Sequence, residues 1–570
     1  MGRTIYDVAV IGAGPAGTAA AIGAKEAGAR KVLLLDRDAW LGGILHQCIH
    51  PGFGLKIFKK ELTGPEYAEK YASRLGELDI EVRLDASVTG IDGGKRIVVS
   101  SRANGVTSVE ARAVVLAMGC RERTRGNIRV PGYRPAGVFT AGTAQRLINL
   151  EGMMIGRRIV VVGSGDIGLI MARRCTLEGA RVEAVIEKLP FPGGLNRNVA
   201  QCLKDFGIPL HLGRQVTFID GKRRVTGVRL CGNGGQEPGE QRIECDTVLL
   251  SVGLIPEIEL VRGTAIPVDP RTGGPVVDQL MHTGVDGFFA AGNLVQVYDL
   301  VDWVSIDGER AGRSAAQHAA RRLGKRGAVA GIRAGEGIRS AVPQVYSAYA
   351  GGERSAGPLY VRVRGVYERP VFRFTGANGL IGEVKKRYAV PSEIVTFDVS
   401  EFLPKAFEGG SLTVDVAERA TRVKAPKPAH DAAEGAGGAG GDEQSSDGRT
   451  VTVSCVLCPS SCLVRVYSSG GEVRTEGAQC PRGTRYAVRE VTDPRRTFTS
   501  TVRVVGGEIP VCSVRTTKPI RKDDWRKARG LIEGISVDAP VECGLAVIEG
   551  FLEPGIDLVA TKSVRAAAST

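Results

Sequence analysis

Short apolar runs alternate with glycine-rich turns and an alanine-rich stretch in the first part of the chain. Ile5–Ile11 is apolar and leads into a turn, residues 15–28 have the composition of a helix, and Val32–Leu35 is apolar again. This order predicts a strand–helix–strand unit, the building block of a parallel sheet. The same order returns between residues 158 and 186, so the chain contains an internal repeat.

The pattern changes twice further along the chain. Residues 340–420 alternate apolar and polar positions, which predicts a small antiparallel β domain. Residues 424–450 contain almost no large apolar side chain and predict a flexible linker. The remaining residues, from Val451, bear a group of cysteines and are expected to form a separate domain.

Composition narrows the class of protein. The 570 residues carry a net charge of +14, but Lys and Arg are scattered among acidic residues. This favours a solvated basic surface, with docking of an acidic partner at Arg321–Arg339 as the alternative, and no nucleic-acid partner is expected. The chain begins directly with a strand and has no long apolar segment, so we expect a soluble, cytoplasmic protein without a membrane span. In a cytoplasmic protein, twelve cysteines indicate metal binding or redox chemistry rather than disulfides.

The first strand–helix–strand unit contains the motif GAGPAG, residues 12–17. Gly12 permits a tight turn, Gly14 allows backbone amides to approach a pyrophosphate, and Gly17 allows close packing of helix and strand. Asp36 ends the second strand, where a carboxylate binds ribose hydroxyls. Together these features predict a dinucleotide site.

The motif GSGDIG, residues 163–168, repeats this logic with Glu187 as the terminal acid. The spacing is the same, since 24 positions separate Gly12 from Asp36 and Gly163 from Glu187. A carboxylate at this place repels a 2′-phosphate, so the sequence predicts NADH rather than NADPH.

Both motifs, together with AVVLAMG (113–119), TVLLSVG (247–253) and GFFAAGN (287–293), resemble the two-dinucleotide flavoprotein reductases, relatives of thioredoxin reductase and disulfide reductases. The resemblance covers about residues 5–323 and implies FAD in the first site and NAD(P)H in the second. Asn293 replaces the usual Asp of that family. The expected cofactor-binding residues are Gly12, Ala13, Gly14, Pro15, Ala16, Gly17, Asp36, Arg37, Gly42, Gly43, Val88, Gly119, Gly292, Asn293, Gly163, Ser164, Gly165, Asp166, Ile167, Gly168, Glu187 and Gly253.

Disulfide reductases of this family carry a redox pair of cysteines, which this sequence lacks before residue 455. The stretches LGGILHQCIHPGFG, TGPEYA, RERTRG and AGTAQRLIN resemble a narrower subgroup, whose members work beside dehydrogenases of glycerol 3-phosphate or secondary amines. Disulfide reduction is therefore not expected.

Four residues are candidates for catalysis. His46, Cys48 and His50 follow the Gly42–Gly43 turn on a loop expected near the flavin, where they would handle protons or contact an acceptor; packing is the alternative. Asp302 begins the helix expected to face the flavin, where it would tune the flavin or cap the helix.

Cysteine spacing distinguishes the last domain. Cys455, Cys458 and Cys462 have the spacing Cys-x2-Cys-x3-Cys, and Cys480 follows alone. Three closely spaced thiolates and a fourth favour a [4Fe–4S] cluster over structural zinc, because zinc ribbons use two Cys-x2-Cys pairs. Residues 451–485 also resemble the iron–sulfur module of molybdopterin oxidoreductases, although no molybdopterin domain follows.

The expected fold is α/β: two Rossmann-like domains, a small β domain and an α+β cysteine-cluster domain. Their expected bounds are 1–130 with 286–325 for FAD, 131–285 for NAD, 335–422 for the β domain, 423–450 for the linker and 451–570 for the last domain. The expected function is an FAD-dependent, NADH-linked electron-transfer subunit for a partner dehydrogenase, for example of glycerol 3-phosphate. The alternatives are a subunit of an opine or sarcosine-type amine dehydrogenase and a redox-sensing scaffold with structural zinc. Oligomeric state stays open.

Overall fold

The computed structural model describes residues 5–232, 241–350, 357–418, 449–457, 462–469 and 472–567. The predicted linker therefore lies outside the described residues, except for Arg449 and Thr450, which begin a strand. The longer helices are α1 Pro15–Glu26, α2 Gly64–Gly76, α3 Ala141–Asn149, α4 Asp166–Leu177, α5 Val301–Ala319, α6 Leu403–Gly409, α7 Pro481–Thr492 and α8 Trp525–Ile532.

The first domain is built on a mixed sheet whose buried strands are nearly all apolar. Its spatial order is Glu81–Arg83, Val32–Leu35, Ile5–Ile11, Gly105–Leu116, Arg96–Ser101 and Ala86–Ile91, with Phe288–Ala290 beside Gly105–Leu116. The strands on the Ile5–Ile11 side run parallel, and the last three form an antiparallel meander. Helices α1 and α5 cover one face of this sheet. Their Ala and Gly residues allow the two helices to approach each other closely: a Cβ on Gly312 would lie 1.9 Å from the Ala20 carbonyl oxygen.

The second domain has a five-stranded parallel sheet in the order Val138–Thr140, Thr247–Leu250, Arg158–Val162, Arg181–Ile186 and Leu210–His211. A separate antiparallel sheet follows, with strands Arg214–Asp220, Gly227–Gly232 and Gln241–Ile243. The two connections to the first domain pair with each other as Cys120–Glu122 and Leu254–Pro256. Val261 and Val277, which the sequence assigns to the second domain, pack in the core of the first, since the chain returns there after Pro256.

The third unit contains a five-stranded sheet in the order Val345–Tyr349, Arg326–Ala334, Ser411–Glu418, Pro370–Gly376 and Gly379–Lys385. A second sheet consists of Ile338–Val342, Pro358–Val363 and Val395–Asp398. Two short strands, Tyr367–Glu368 and Tyr388–Ala389, also pair. Its strands pair antiparallel apart from one parallel contact between Arg326–Ala334 and Ser411–Glu418, which the predicted antiparallel alternation did not anticipate.

The C-terminal part contains two sheets. The cysteine-bearing meander is formed by Arg449–Ser454, Leu463–Ser469 and Glu472–Glu476, against which α7 packs. The second sheet has the order Ser536–Asp538, Thr499–Val505, Val511–Thr516, Leu558–Ala560 and Ala546–Ile548, and α8 packs on it through Trp525. A further pair, Arg495–Arg496 with Ile520–Arg521, joins the two halves.

The expected fold class is confirmed: the chain has two Rossmann-like units, a β-rich unit and a mixed C-terminal part. Several predicted strands agree with the structure to the residue, among them Ile5–Ile11 and Val32–Leu35. Within the described residues, none of the helices combines the length and apolar character needed to cross a bilayer.

Candidate functional site

The first glycine motif forms a tight turn between strand and helix. Gly12 has a φ of 101°, a conformation that L side chains rarely adopt. A Cβ on Gly17 would lie 1.6 Å from the Gly12 carbonyl oxygen, so no larger residue fits where α1 meets the strand. A Cβ on Gly14, in contrast, would have no neighbour within 4 Å, because this residue faces open space at the start of α1. A phosphate there meets free backbone amides at the positive end of the helix.

The remaining residues assigned to this nucleotide lie around the turn. Asp36 accepts hydrogen bonds from the backbone amides of Ala13 and Asp38, and burial raises its pKa. Gly42 donates its amide to the Ala13 carbonyl, and a Cβ on Gly43 would lie 3.3 Å from the Gly14 Cα. The side chain of Arg37 is exposed, and Val88 lies in the outer meander.

The GFFAAGN segment, whose strand Phe288–Ala290 belongs to the same sheet, brings Gly292 against α1. Gly292 adopts a φ of 70°, and a Cβ there would lie 2.6 Å from the Ala16 Cβ. Asn293 accepts a hydrogen bond from the Tyr298 amide. Gln296 Nε2 is buried without a hydrogen-bond partner among the described residues. The open space at Gly14, the helix start and this orphaned amide fit a bound FAD.

The second motif has the same turn, with Gly163 at a φ of 90°. Its polar groups are engaged by the loop that follows the next strand. Asp166 Oδ1 accepts hydrogen bonds from Leu195 N at 2.8 Å and Asn198 Nδ2 at 2.7 Å, and Ser164 Oγ accepts one from Gly193 N at 2.7 Å.

Glu187 accepts from Ser164 N and Ser164 Oγ, at 2.9 and 2.7 Å. Gly165 and Gly168 pack against Ser251, Ile167 lies in the first turn of α4, and Gly253 follows with a φ of 101°. The residues fit a dinucleotide fold, and residues 193–198 are hydrogen-bonded to the polar side chains of the motif.

His46, Cys48 and His50 lie on one loop, but their surroundings differ. His46 is buried, its Nε2 contacts the Leu41 carbonyl, and burial with the charge of Lys562 lowers its pKa to about 4. Burial raises the pKa of Cys48 to about 12, so its thiol stays protonated near neutral pH. Burial, and then the charges of Arg197 and Arg173, lower the pKa of His50 to about 4.

Asp302 is buried in the first turn of α5, whose N-cap residue is Leu300. Its Oδ1 accepts the Ile57 amide at 2.9 Å. The expectation that Asp302 caps the helix is corrected: the carboxylate instead ties the loop at residue 57 to the start of α5, because it points across to that loop.

Sequence reasoning missed one cluster beside the His46 loop. The ammonium of Lys562, from the C-terminal part, lies 5.0 Å from the centre of the Trp40 ring, which meets His46 edge-on. Lys562 Nζ and His46 Nδ1 are both buried without a hydrogen-bond partner in the described part of the chain. No signal in the sequence could have linked them, since more than 500 positions separate them.

Three of the four predicted metal ligands are described, and Cys458 lies outside the described residues. Cys455 N donates to the Cys462 carbonyl, and a Cβ on Gly483 would lie 3.6 Å from Cys455 Sγ and 3.8 Å from Cys480 Sγ. The Gly483 amide, at the start of α7, lowers the pKa of Cys480. In the parts of the chain that are described, no three His, Cys, Asp or Glu side chains assemble into a metal site.

Comparison with known proteins identifies two regions. Residues 6–321 match the family "Pyridine nucleotide-disulphide oxidoreductase", and residues 481–562 match "Protein of unknown function (DUF1667)". An opine oxidase subunit of Agrobacterium tumefaciens (strain Ach5) is 30% identical over 320 residues, which cover 50% of this chain and 61% of that protein. Thioredoxin reductase of Mycolicibacterium smegmatis is 30% identical over 301 residues, covering 51% and 89%.

Among solved structures, a thioredoxin reductase of T. acidophilum matches 55% of this chain and 99% of its own, at 28% identity and a TM-score of 0.47. The match to the opine oxidase subunits of A. tumefaciens and Rhizobium meliloti spans about three fifths of their length.

Proposed function

Because the chain belongs to the pyridine nucleotide-disulphide oxidoreductase family, and is thus an oxidoreductase of FAD and NAD(P)H, we propose that it relays electrons between NADH and a partner dehydrogenase through FAD and a C-terminal [4Fe–4S] cluster. FAD, when bound, exchanges hydride with nicotinamide and single electrons with a cluster. The first glycine motif holds its pyrophosphate, and the second, with Glu187, selects NADH over NADPH.

The observation that carries this proposal is that the nucleotide-binding region lacks a redox-active pair of cysteines, to which the flavin could pass electrons. No Cys-x-x-Cys pair occurs before residue 455, and the thiol of Cys48 stays protonated. The cysteine-bearing domain instead packs on the nucleotide domains. Arg496 pairs with Asp205 at 3.1 Å, and Arg515 pairs with Glu66 at 2.8 Å. These contacts bring the part of the chain that carries the proposed cluster against both nucleotide domains, which supports transfer of electrons between them.

The roles of the loop residues follow from their protonation states. Because their pKa values are lowered to about 4, His46 and His50 are neutral near pH 7. In a neutral imidazole, one ring nitrogen donates a hydrogen bond and the other accepts one. We assign His50 to the handling of a proton beside the flavin and His46 to the support of the Gly42–Gly43 turn. Cys48 holds the loop through its contacts with Ile44 and Gln145. Asp302 fixes the start of α5.

The decisive experiment is the content of iron, sulfide, zinc and FAD per chain after anaerobic purification. About four iron, four sulfide and one FAD would support the relay. The variant Cys480→Ser should lose iron but keep FAD, whereas Cys543→Ser, remote in sequence, should keep both. Zinc without sulfide would contradict the relay and leave a flavin reductase with a structural metal.

The partner has two candidates. A dehydrogenase of glycerol 3-phosphate is our first proposal, and the likeness to the opine oxidase subunits favours an amine-oxidising partner as the second. The two candidates are distinguished by purifying the tagged chain, with its bound partner, from the cells that naturally produce it. The flavin of the complex is then reduced anaerobically with each substrate class. Flavin reduction by a secondary amine would identify the second.

A further inference from the structure

A cavity of about 50 Å³ lies where three parts of the chain meet. The first domain contributes the loop at His50, the second contributes α3, α4 and the segment after Arg197, and the C-terminal part contributes Thr499. Such a volume holds a few water molecules or one small ion. One wall of the cavity reaches the second glycine motif, since the lining residue Asn198 donates to Asp166 at 2.7 Å. Arg173 lies further along, seven residues after Asp166 and about 10 Å along α4.

The lining is strongly basic. Arg173, Arg174 and Arg197 face the cavity, and Glu61 is the one carboxylate among the described lining residues. Arg174 is compensated, since Glu178 lies 2.7 Å from its Nη1 and Asn149 Oδ1 accepts its Nε at 2.8 Å. Glu61 is exposed, so arginines are the charged groups in the buried part of the lining.

Arg173 is only partly compensated, by the nearby charge of Asp205, which also pairs with Arg496 and Lys522. It is 9% exposed, and its Nη2 has no hydrogen-bond partner in the described part of the chain. The guanidinium carbon lies 4.8 Å from the centre of the Trp525 ring. The adjacent Cys202 thiol offers no charge, because burial raises its pKa to about 11. A buried guanidinium N–H group without an acceptor is costly, so a ligand that supplies one is favoured.

Arg197 lines the same space and is partly balanced by the nearby carboxylates of Asp166 and Glu393. A Cβ on Gly52 would lie 2.5 Å from its Nη2, so this guanidinium rests against the His50 loop. The amides of Gln145 and Gln201 add neutral donors to the lining. Two guanidinium groups and amide donors form the set that recognises the oxygens of a carboxylate or phosphate.

We propose that this cavity binds one small oxyanion, a carboxylate or a phosphate group, between Arg173 and Arg197. The site is independent of the redox proposal, since it rests on the cavity and its charges alone. Its occupant joins the first, second and C-terminal parts of the chain and lies beside His50. An anionic group of a substrate or effector therefore binds only when the domains are docked, and its binding stabilises the docked arrangement.

The test is calorimetric titration of the full-length, FAD-loaded protein at constant ionic strength, with sodium phosphate and, separately, sodium malonate. We expect one saturable site per chain. Arg173→Met should weaken its affinity at least about tenfold, the scale of a charge-assisted pair. Arg181→Met, whose side chain is 80% exposed and pairs with Glu183, is the matched control and should not change it.

Because Arg173→Met removes a buried side chain, Arg197→Met and Arg173→Lys are measured beside it, with FAD content and circular dichroism as checks of folding. Weaker binding in folded Arg197→Met, with partial retention in Arg173→Lys, supports the site. Preference for phosphate or for malonate identifies which oxyanion it takes. No saturable binding of either, or binding unchanged in both methionine variants, overturns the proposal.

Discussion

Individual histidines near the expected flavin site show how burial sets their charge. Burial lowers the pKa of His46 and of His50 to about 4, from an ordinary value of 6.5. Between these values the unfolded chain binds a proton at each position and the folded chain does not, so the stability of the fold falls as pH drops from 6.5 toward 4.

We therefore predict that the thermal midpoint of wild type falls steeply in this window and that His50→Gln lessens the slope by the contribution of about one proton. Calorimetry between pH 4 and 7.5 measures it. His211→Gln is the comparison variant: burial also lowers the pKa of this half-buried ring, but water reaches it more easily, so its effect on the slope should be smaller. An unchanged slope in His50→Gln would show that His50 is accessible to protons in the folded state.

Lys562 affects the stability of the fold at alkaline pH. Burial lowers its pKa from 10.5 to about 8. Below pH 8 the folded protein holds a buried ammonium without a hydrogen-bond partner among the described residues, and stability rises between pH 8 and 10.5, where only the unfolded chain keeps the proton.

We predict that Lys562→Met stabilises the protein at pH 7 by up to about 3 kcal/mol, and that this gain shrinks at pH 9.5. Thermal unfolding at the two pH values measures it. Lys518→Met, at an exposed position, is the control and should have no such pH dependence. Loss of stability at pH 7 would instead mean that the ammonium has an anionic partner when FAD is bound.

At the scale of elements, the contact between α1 and its strand shows which glycines are needed for the fold and which for the ligand. Gly17 has no room for a Cβ, whereas a Cβ on Gly14 meets nothing within 4 Å. Gly17 is therefore needed for packing, whereas Gly14 leaves space at the positive end of α1.

We predict that Gly14→Ala folds as an apoprotein but binds FAD at least about tenfold more weakly, because the methyl group fills the space that the pyrophosphate needs. Fluorescence titration of the apoprotein with FAD measures this. Gly76→Ala, at the end of α2, also meets nothing within 4 Å and should keep full affinity. Equal affinity in both variants would place the pyrophosphate elsewhere.

At the scale of the whole molecule, buried ion pairs join the C-terminal part to the second domain. Asp205 accepts Arg496 at 3.1 Å and Lys522 at 2.8 Å, and the side chains of Asp205 and Arg496 are both buried. The rings of Phe206 and Trp525 also stack across this interface, with centres 4.9 Å apart. The same interface carries Arg173 and the cavity.

We predict that Asp205→Asn destabilises the docked arrangement by about 1.5–3 kcal/mol, because Lys522 loses its carboxylate while Arg496 keeps Glu490 at 2.9 Å. Calorimetric unfolding should then show the C-terminal part melting at a lower temperature. Glu244→Gln removes a partner from the exposed Arg158 and should change stability by less than about 1 kcal/mol. Equal effects would mean that the Asp205 pairs are hydrated.

The sequence by itself determined the two Rossmann-like units, the glycines of their turns and the terminal acids. These features are local: an apolar run, a glycine and a carboxylate at fixed spacing dictate a strand, a turn and a helix start whatever surrounds them. It also predicts a cysteine-bearing C-terminal domain, because the spacing of the cysteines is visible directly in the chain.

Only the tertiary structure decided what lies between the domains. The neutral state of His50, the bond from Asp302 to Ile57, and the meeting of Lys562 with Trp40 all depend on residues far apart in the chain. The same holds for the cavity around Arg173, whose walls come from three domains. Burial and through-space charge set these properties, and neither is encoded in the spacing of residues along one segment.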